Sequence, residues 1–201
     1  MEIKIRKTIP ADEAAVGEVC FATFRDGRDE RFHRLAGLRW AIPYLRYEAE
    51  NCFVAVDEKD QPVGYILSAL DSKAFKAAFH KRMRGEIKEE LKKRRSEFTC
   101  RAYLKESFHK LHYLENLPGW ISREYPAHLH IDIHPKYQGM GLGGKMMGEM
   151  LGHLKGAECP GVHLGVGTEN KGAIRFYERS GFQTLKVSRR HPVTFMGLIF
   201  K

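Results

Sequence analysis

Residues 139–144 read Gly-Met-Gly-Leu-Gly-Gly, four glycines in six positions, directly after an apolar strand pattern that stops at Pro135. Each glycine inside a helix or strand costs roughly 0.5–1 kcal/mol relative to alanine, so this density marks a junction. The residues that follow, "LGGKMMGEMLGHLK", have the apolar spacing of a helix. A strand, a glycine turn and a helix in that order constrain the fold strongly. Glycines at such a junction let the backbone curl until several N–H groups point one way, at the positive end of the helix dipole. That is an anion site suited to phosphate, and Lys145 is near enough in sequence to add charge. The competing reading is a turn that only permits tight helix–strand packing. The Walker loop is excluded because Met146 follows Lys145. The dinucleotide fingerprint fits poorly, with no acidic residue on a second strand about 20 residues on.

The rest of the chain supplies alternating elements. "EIKIRK" alternates as a half-buried strand, and Pro10 opens a helical stretch through Phe24. "LRWAIPYLRYEAE" predicts a second helix kinked at Pro43. "NCFVAVD" and "PVGYILSAL" predict a hairpin. Phe75, Phe79, Met83, Ile87 and Leu91 recur every fourth residue, the stripe of one helix, and a second amphipathic piece is expected over Phe98 to Leu114. Thereafter "HLHIDI" is a strand, the post-glycine segment a helix, "GVHLGVG" a strand, and "NKGAIRFYERSG" a helix capped by Gly181. "FQTLKVS" and "VTFMGLIF" are the closing strands. This order predicts a mixed α/β or α+β sheet. The 201 residues suit one domain, and no apolar run reaches the ~18–20 residues needed to span a bilayer. The N-terminus lacks a signal-peptide pattern, so a cytoplasmic protein is expected. Cys20, Cys52, Cys100 and Cys159 are widely spaced and read as buried free thiols.

Two patterns carry a family resemblance. Gln138, Gly141 and Gly143 match Q/R-x-x-G-x-G/A. In "ENKGAIRFYERSGF", Asn170, Ala173, Phe176, Tyr177, Glu178, Gly181 and Phe182 match a later helical motif in the same order. Together they resemble the GCN5-related N-acetyltransferase (GNAT) superfamily. The stretch "YPAHLHIDIHPKYQGMGLG", with the helical segment before it, is similar to the acetyltransferase-like domain of O-GlcNAcases and its bacterial relatives. The resemblance implies a GNAT-like fold, with a central mixed, mostly antiparallel sheet flanked by helices and a helical insert at about 72–122 between strands three and four. It implies transfer of an acetyl group from acetyl-CoA to a primary amine of a small molecule or peptide. Ile133 and His134 on the strand, Gln138, Gly139, Met140, Gly141, Leu142, Gly143 and Lys145 at the turn, and Asn170 and Phe176 on the later helix would contact the cofactor.

Acetyl transfer needs an anchored thioester, a deprotonated amine and a proton for the leaving thiolate. Tyr177 is the expected donor, since a tyrosine with a reference pKa of ~10 is protonated at neutral pH. For the base, Asp132 and His130 are the first choices, with Glu124 or water as alternatives. Alternation puts His128, His130, Asp132 and His134 on one strand face and Leu129, Ile131 and Ile133 on the other. That polar face is expected to meet solvent or line a cleft. No metal is expected, because same-face positions are ~6.5 Å apart and the sequence identifies no outside ligand. No cysteine is placed as an obvious acyl carrier, which favours direct attack in a ternary complex.

The formal charge of +9 is concentrated between Lys73 and Lys110, where 13 basic residues face 5 acidic ones, a net of +8. The bland reading is a solvated helix face, and the sharper one a lid on the acceptor side. A non-catalytic acyl-CoA-binding module, or one docking on nucleic acid or the ribosome through this segment, is the alternative function. Nucleic acid is disfavoured because aromatics are not interleaved on the basic face. The partners expected are acetyl-CoA and an amine acceptor that the sequence leaves unidentified. No membrane partner is expected, and a homodimer stays open.

Overall fold

A computed structural model describes residues 2–23, 29–107, 117–188 and 192–200. Among these residues, seven strands form one sheet in the order β1-β2-β3-β4-β5-β7-β6. They are β1 (Lys4–Lys7), β2 (Cys52–Val56), β3 (Pro62–Ala69), β4 (Ala127–Ile133), β5 (Gly161–Gly167), β6 (Gln183–Val187) and β7 (Val193–Ile199). All neighbours are antiparallel except β4 and β5, which are parallel. The sheet is thus mixed and mostly antiparallel, as expected.

Helices cover both faces because the strands bury side chains in both directions. On one face lie α1 (Glu13–Thr23), α2 (His33–Trp40), α3 (Ile42–Tyr47) and α4 (Ser72–Lys93). Val16, Val19, Leu38, Tyr44, Phe75, Phe79 and Met83 from these helices pack there against Val54, Tyr65 and Leu67. The other face is covered by α7 (Leu142–Gly156), whose Met146, Met147, Met150 and Leu154 meet Ile66, Leu129 and Val162. The α2–α3 break falls at Ala41, with Pro43 in the first turn of α3, where its missing N–H costs nothing.

The predicted insert leaves β3 as the long helix α4 and returns to β4 through α5 (Cys100–Ser107) and α6 (Gly119–Glu124). Four residues of its apolar stripe are buried and Ile87 is half-buried. The α4 helix packs on α2 and α3, on the same side of the sheet as α1. A buried ion pair ties the insert down: Arg39 of α2, only 5% exposed, donates to Glu106 of α5 at 2.7 Å. Residues 108–114 of the second amphipathic piece, and Phe24 at the end of the first helical stretch, lie outside the described residues.

Two expectations change. Cys20, Cys52 and Cys159 are buried free thiols, but Cys100 is exposed, because it opens the short helix α5 on the outside of the insert. The His/Asp face of β4 is not uniformly a cleft wall. His128 is fully buried beneath α3 and α4, with its ring nitrogens 2.7 Å from the Tyr44 hydroxyl and 2.9 Å from Ser72 Oγ.

Candidate active site

Strands β4 and β5 pair only at Ala127–Val162 and His128–His163, yet both continue for several residues beyond. They therefore fork. His134 N donates back to Val63 of β3, so by alternation the N–H groups of Ile131 and Ile133, beyond the last paired residues, face the opening toward β5. The fork exposes main-chain groups in the middle of a sheet, where an extended ligand can add its own hydrogen bonds.

The glycine turn sits at the open end of this fork. Gly139 and Gly141 have φ of +77° and +74°, the left-handed region that side chains disfavour, and open space surrounds both. Gly141 is the N-cap of α7, and Lys145 N closes the first helical bond to its carbonyl. The N–H groups of Leu142, Gly143 and Gly144 consequently have no acceptor inside the helix and point out from its start. Gln138 pins the turn to the strand, its Nε2 donating to the Ile133 carbonyl at 2.8 Å. The space between α7 and α8 (Lys171–Arg179) is a cavity of about 450 Å³, lined by Gly141, Gly144, Met147, Gly148, Phe176 and Arg179 among others.

The residues expected at the cofactor divide by this geometry. Gly139, Met140, Gly141, Gly143 and Lys145 surround the helix start, while Leu142 turns its side chain into the core and offers only its backbone. The Phe176 ring packs at the helix start, 3.4 Å from where a Cβ on Gly143 would stand. Asn170 uses its Oδ1 to cap α8, accepting from Ala173 N at 3.0 Å. His134 accepts from Lys136 N, which shapes the chain between the strand and the turn.

On the α1 side of the fork, Asp132 and His130 are half-buried and joined, with His130 Nε2 3.2 Å from Asp132 Oδ2. The buried Tyr65 hydroxyl stands between them, 2.5 Å from Asp132 Oδ2 and 3.0 Å from His130 Nε2. Burial, then the nearby Asp132 charge, push the Tyr65 phenol well above its usual pKa, so it is a hydrogen-bond donor here. Tyr177 of α8 is half-buried among the α7-side residues at the fork. Burial raises its pKa and the Asp132 charge adds to that, so the phenol keeps its proton across the neutral range. Glu124 lies at the opposite end of β4, its carbonyl against Gly161 where the strands are still paired, and it is not brought to this group.

Two members of the group were not singled out in the sequence. Tyr65 is the cross-strand partner of Asp132, a relation visible only once the β3–β4 register is known. Cys20 of α1 brings its sulfur within 4.8 Å of ligand atoms of His130 and Asp132. Its thiol is pushed up by burial and by the Asp132 charge, which disfavours the thiolate an acyl carrier needs.

Comparison with known proteins agrees with this fold. The model of the acetyltransferase (GNAT) family matches residues 16–182. The crystal structure of SsHAT superposes with a TM-score of 0.83 at 31% identity, covering 99% of this chain and 98% of that one. The protein O-GlcNAcase of Rattus norvegicus is 28% identical over 182 residues, covering 88% of this chain and 20% of that protein's length. The chain thus spans about a fifth of that curated relative. The narrower likeness read from "YPAHLHIDIHPKYQGMGLG" reappears there. The PaiA N-acetyltransferase of Thermoplasma acidophilum, crystallised with coenzyme A, shares the fold with a TM-score of 0.60 at 14% identity over all of both chains.

Proposed function

The chain belongs to the acetyltransferase (GNAT) family, and we propose that it moves an acetyl group from acetyl-CoA to a primary amine of a small molecule or peptide. The observation that carries this reading is the fork between β4 and β5. It sets a glycine-built helix start, a carboxylate and a protonated phenol around one opening.

In this reading the N–H groups at the start of α7 hold the diphosphate, with Lys145 and Arg179 adding charge. The unpaired edge of β4 takes the pantetheine arm and aligns the thioester. Asp132 accepts the proton of the incoming ammonium, oriented by Tyr65 and His130. The neutral amine attacks the carbonyl directly, the C–S bond breaks, and the departing thiolate takes the Tyr177 proton. The high pKa of the Cys20 thiol supports a ternary complex over an acyl-cysteine route. The 201 residues act as one domain, with the insert at 72–122 standing over the acceptor side. In support, α4 packs on the helices that cover the His/Asp face.

The test is thiol release from acetyl-CoA across pools of small amines, polyamines and peptides. Amine-dependent release with a mass gain of one acetyl group on the acceptor is expected. No turnover with any pool, together with a salt-sensitive nucleic-acid complex, would overturn the reading in favour of a binding module.

A further inference from the structure

Cys20, His130 and Asp132 converge from two elements far apart in sequence, the middle of α1 and the end of β4. One ligand atom from each lies within 4.8 Å of the others. The two strand donors are 3.2 Å apart. Around a tetrahedral zinc ion with bonds of about 2.0–2.3 Å, neighbouring donors stand about 3.4 Å apart. The strand pair is therefore already spaced for a metal, and the sulfur, within 4.8 Å of both, needs to approach by at most about 1.4 Å. The Tyr65 hydroxyl is a further oxygen inside the same group.

We propose that Cys20, His130 and Asp132 form a site for a thiophilic divalent cation of the zinc type, and that its occupancy stops acetyl transfer. A sulfur, an imidazole nitrogen and a carboxylate oxygen together select zinc or cobalt over magnesium, which prefers oxygen alone. On binding, the Cys20 S–H bond breaks, its proton passes to solvent, and a sulfur–metal bond forms. Inhibition rests on the functional reading above, because the metal takes the carboxylate that serves there as base. Metal binding does not depend on that reading.

Cobalt(II) is the probe, on the full chain carrying Cys100→Ser so that the exposed thiol cannot contribute. One equivalent should give a near-ultraviolet thiolate-to-cobalt charge-transfer band that zinc displaces. Adding Cys20→Ser should abolish the band. His130→Asn, at a half-buried position, should weaken cobalt binding by about tenfold or more. No band in the Cys100→Ser protein, a band that survives Cys20→Ser, or unchanged affinity in His130→Asn overturns the site. Zinc should suppress formation of acetylated product, reversibly with chelator and with no effect of magnesium. A band without zinc inhibition removes the inhibitory half of the proposal. A band in a protein that acetylates no amine leaves the metal site standing and removes the functional reading.

Discussion

The hydroxyl of Tyr65 and the carboxylate of Asp132 are 2.5 Å apart, joined directly across the β3–β4 ladder where their Cα atoms are partners. A buried aromatic on one strand thereby fixes the position of a half-exposed acid on the next. Asp132 is the base in the proposed reaction, so Asp132→Asn should lower turnover by about 10²-fold or more, in the range of general-base removal. Tyr65→Phe keeps the ring and loses the bond. A hydrogen bond to a charged group is worth roughly 1.5–3 kcal/mol, so a loss of about ten- to a hundredfold is expected. Steady-state kinetics on Asp132→Asn and His130→Gln separate the two strand residues. A larger loss in His130→Gln would transfer the base role to the imidazole.

Tyr177→Phe should reduce the maximal rate by about 10²-fold while acetyl-CoA still binds, since only the transferred proton is lost. Calorimetric titration with CoA beside single-turnover rates checks this. The wild-type rate should not decline on the alkaline side below pH ~10, the reference value for tyrosine, because burial and the Asp132 charge raise the Tyr177 pKa.

Gly141→Ala places a side chain at φ +74° in open space, so the damage is conformational and not steric. The strain is about 1–2 kcal/mol, relieved by moving the helix start. CoA affinity should fall by roughly tenfold with the fold retained, as read by equilibrium dialysis and circular dichroism.

His163 is buried with a pKa lowered to about 4, chiefly by burial, and its Nδ1 lies 2.7 Å from the Tyr125 carbonyl. A depressed histidine means that the unfolded chain binds more protons between pH 6.5 and pH 4. Stability is then full above the unfolded value and is lost as pH falls through that window. From pH 7 to pH 5 the loss from His163 is about 2 kcal/mol, and buried His128 shifts in the same direction. Urea unfolding at the two pH values measures it. His163→Gln should flatten the dependence.

The ion pair between Arg39 and Glu106 holds the insert against α2. Glu106→Gln leaves the buried guanidinium uncompensated and should cost about 3 kcal/mol. A double replacement of both residues by apolar ones of similar size should recover most of that. Thermal unfolding of the single and double variants is the check.

What the sequence determined is local. Gly139 and Gly141 occupy left-handed positions because no other residue does so cheaply, so the turn and the helix start are legible from composition alone. Strand and helix periods, the hairpin and the apolar stripe of the insert follow equally from nearest neighbours along the chain. Tertiary structure decided which chemistry meets at the fork. The β3–β4 register sets Tyr65 opposite Asp132, and a slip of one residue would have turned it to the other face. The splay of β4 from β5 opens the edge that a continuous ladder would have sealed. Packing of α1 against β3 and β4 brings Cys20 to His130 and Asp132, a contact spanning more than a hundred positions. Packing of α3 and α4 buries His128, which the alternating pattern placed on the same polar face as its neighbours. Period two tells which residues share a face, whereas how deeply each is buried depends on helices that arrive from elsewhere in the chain.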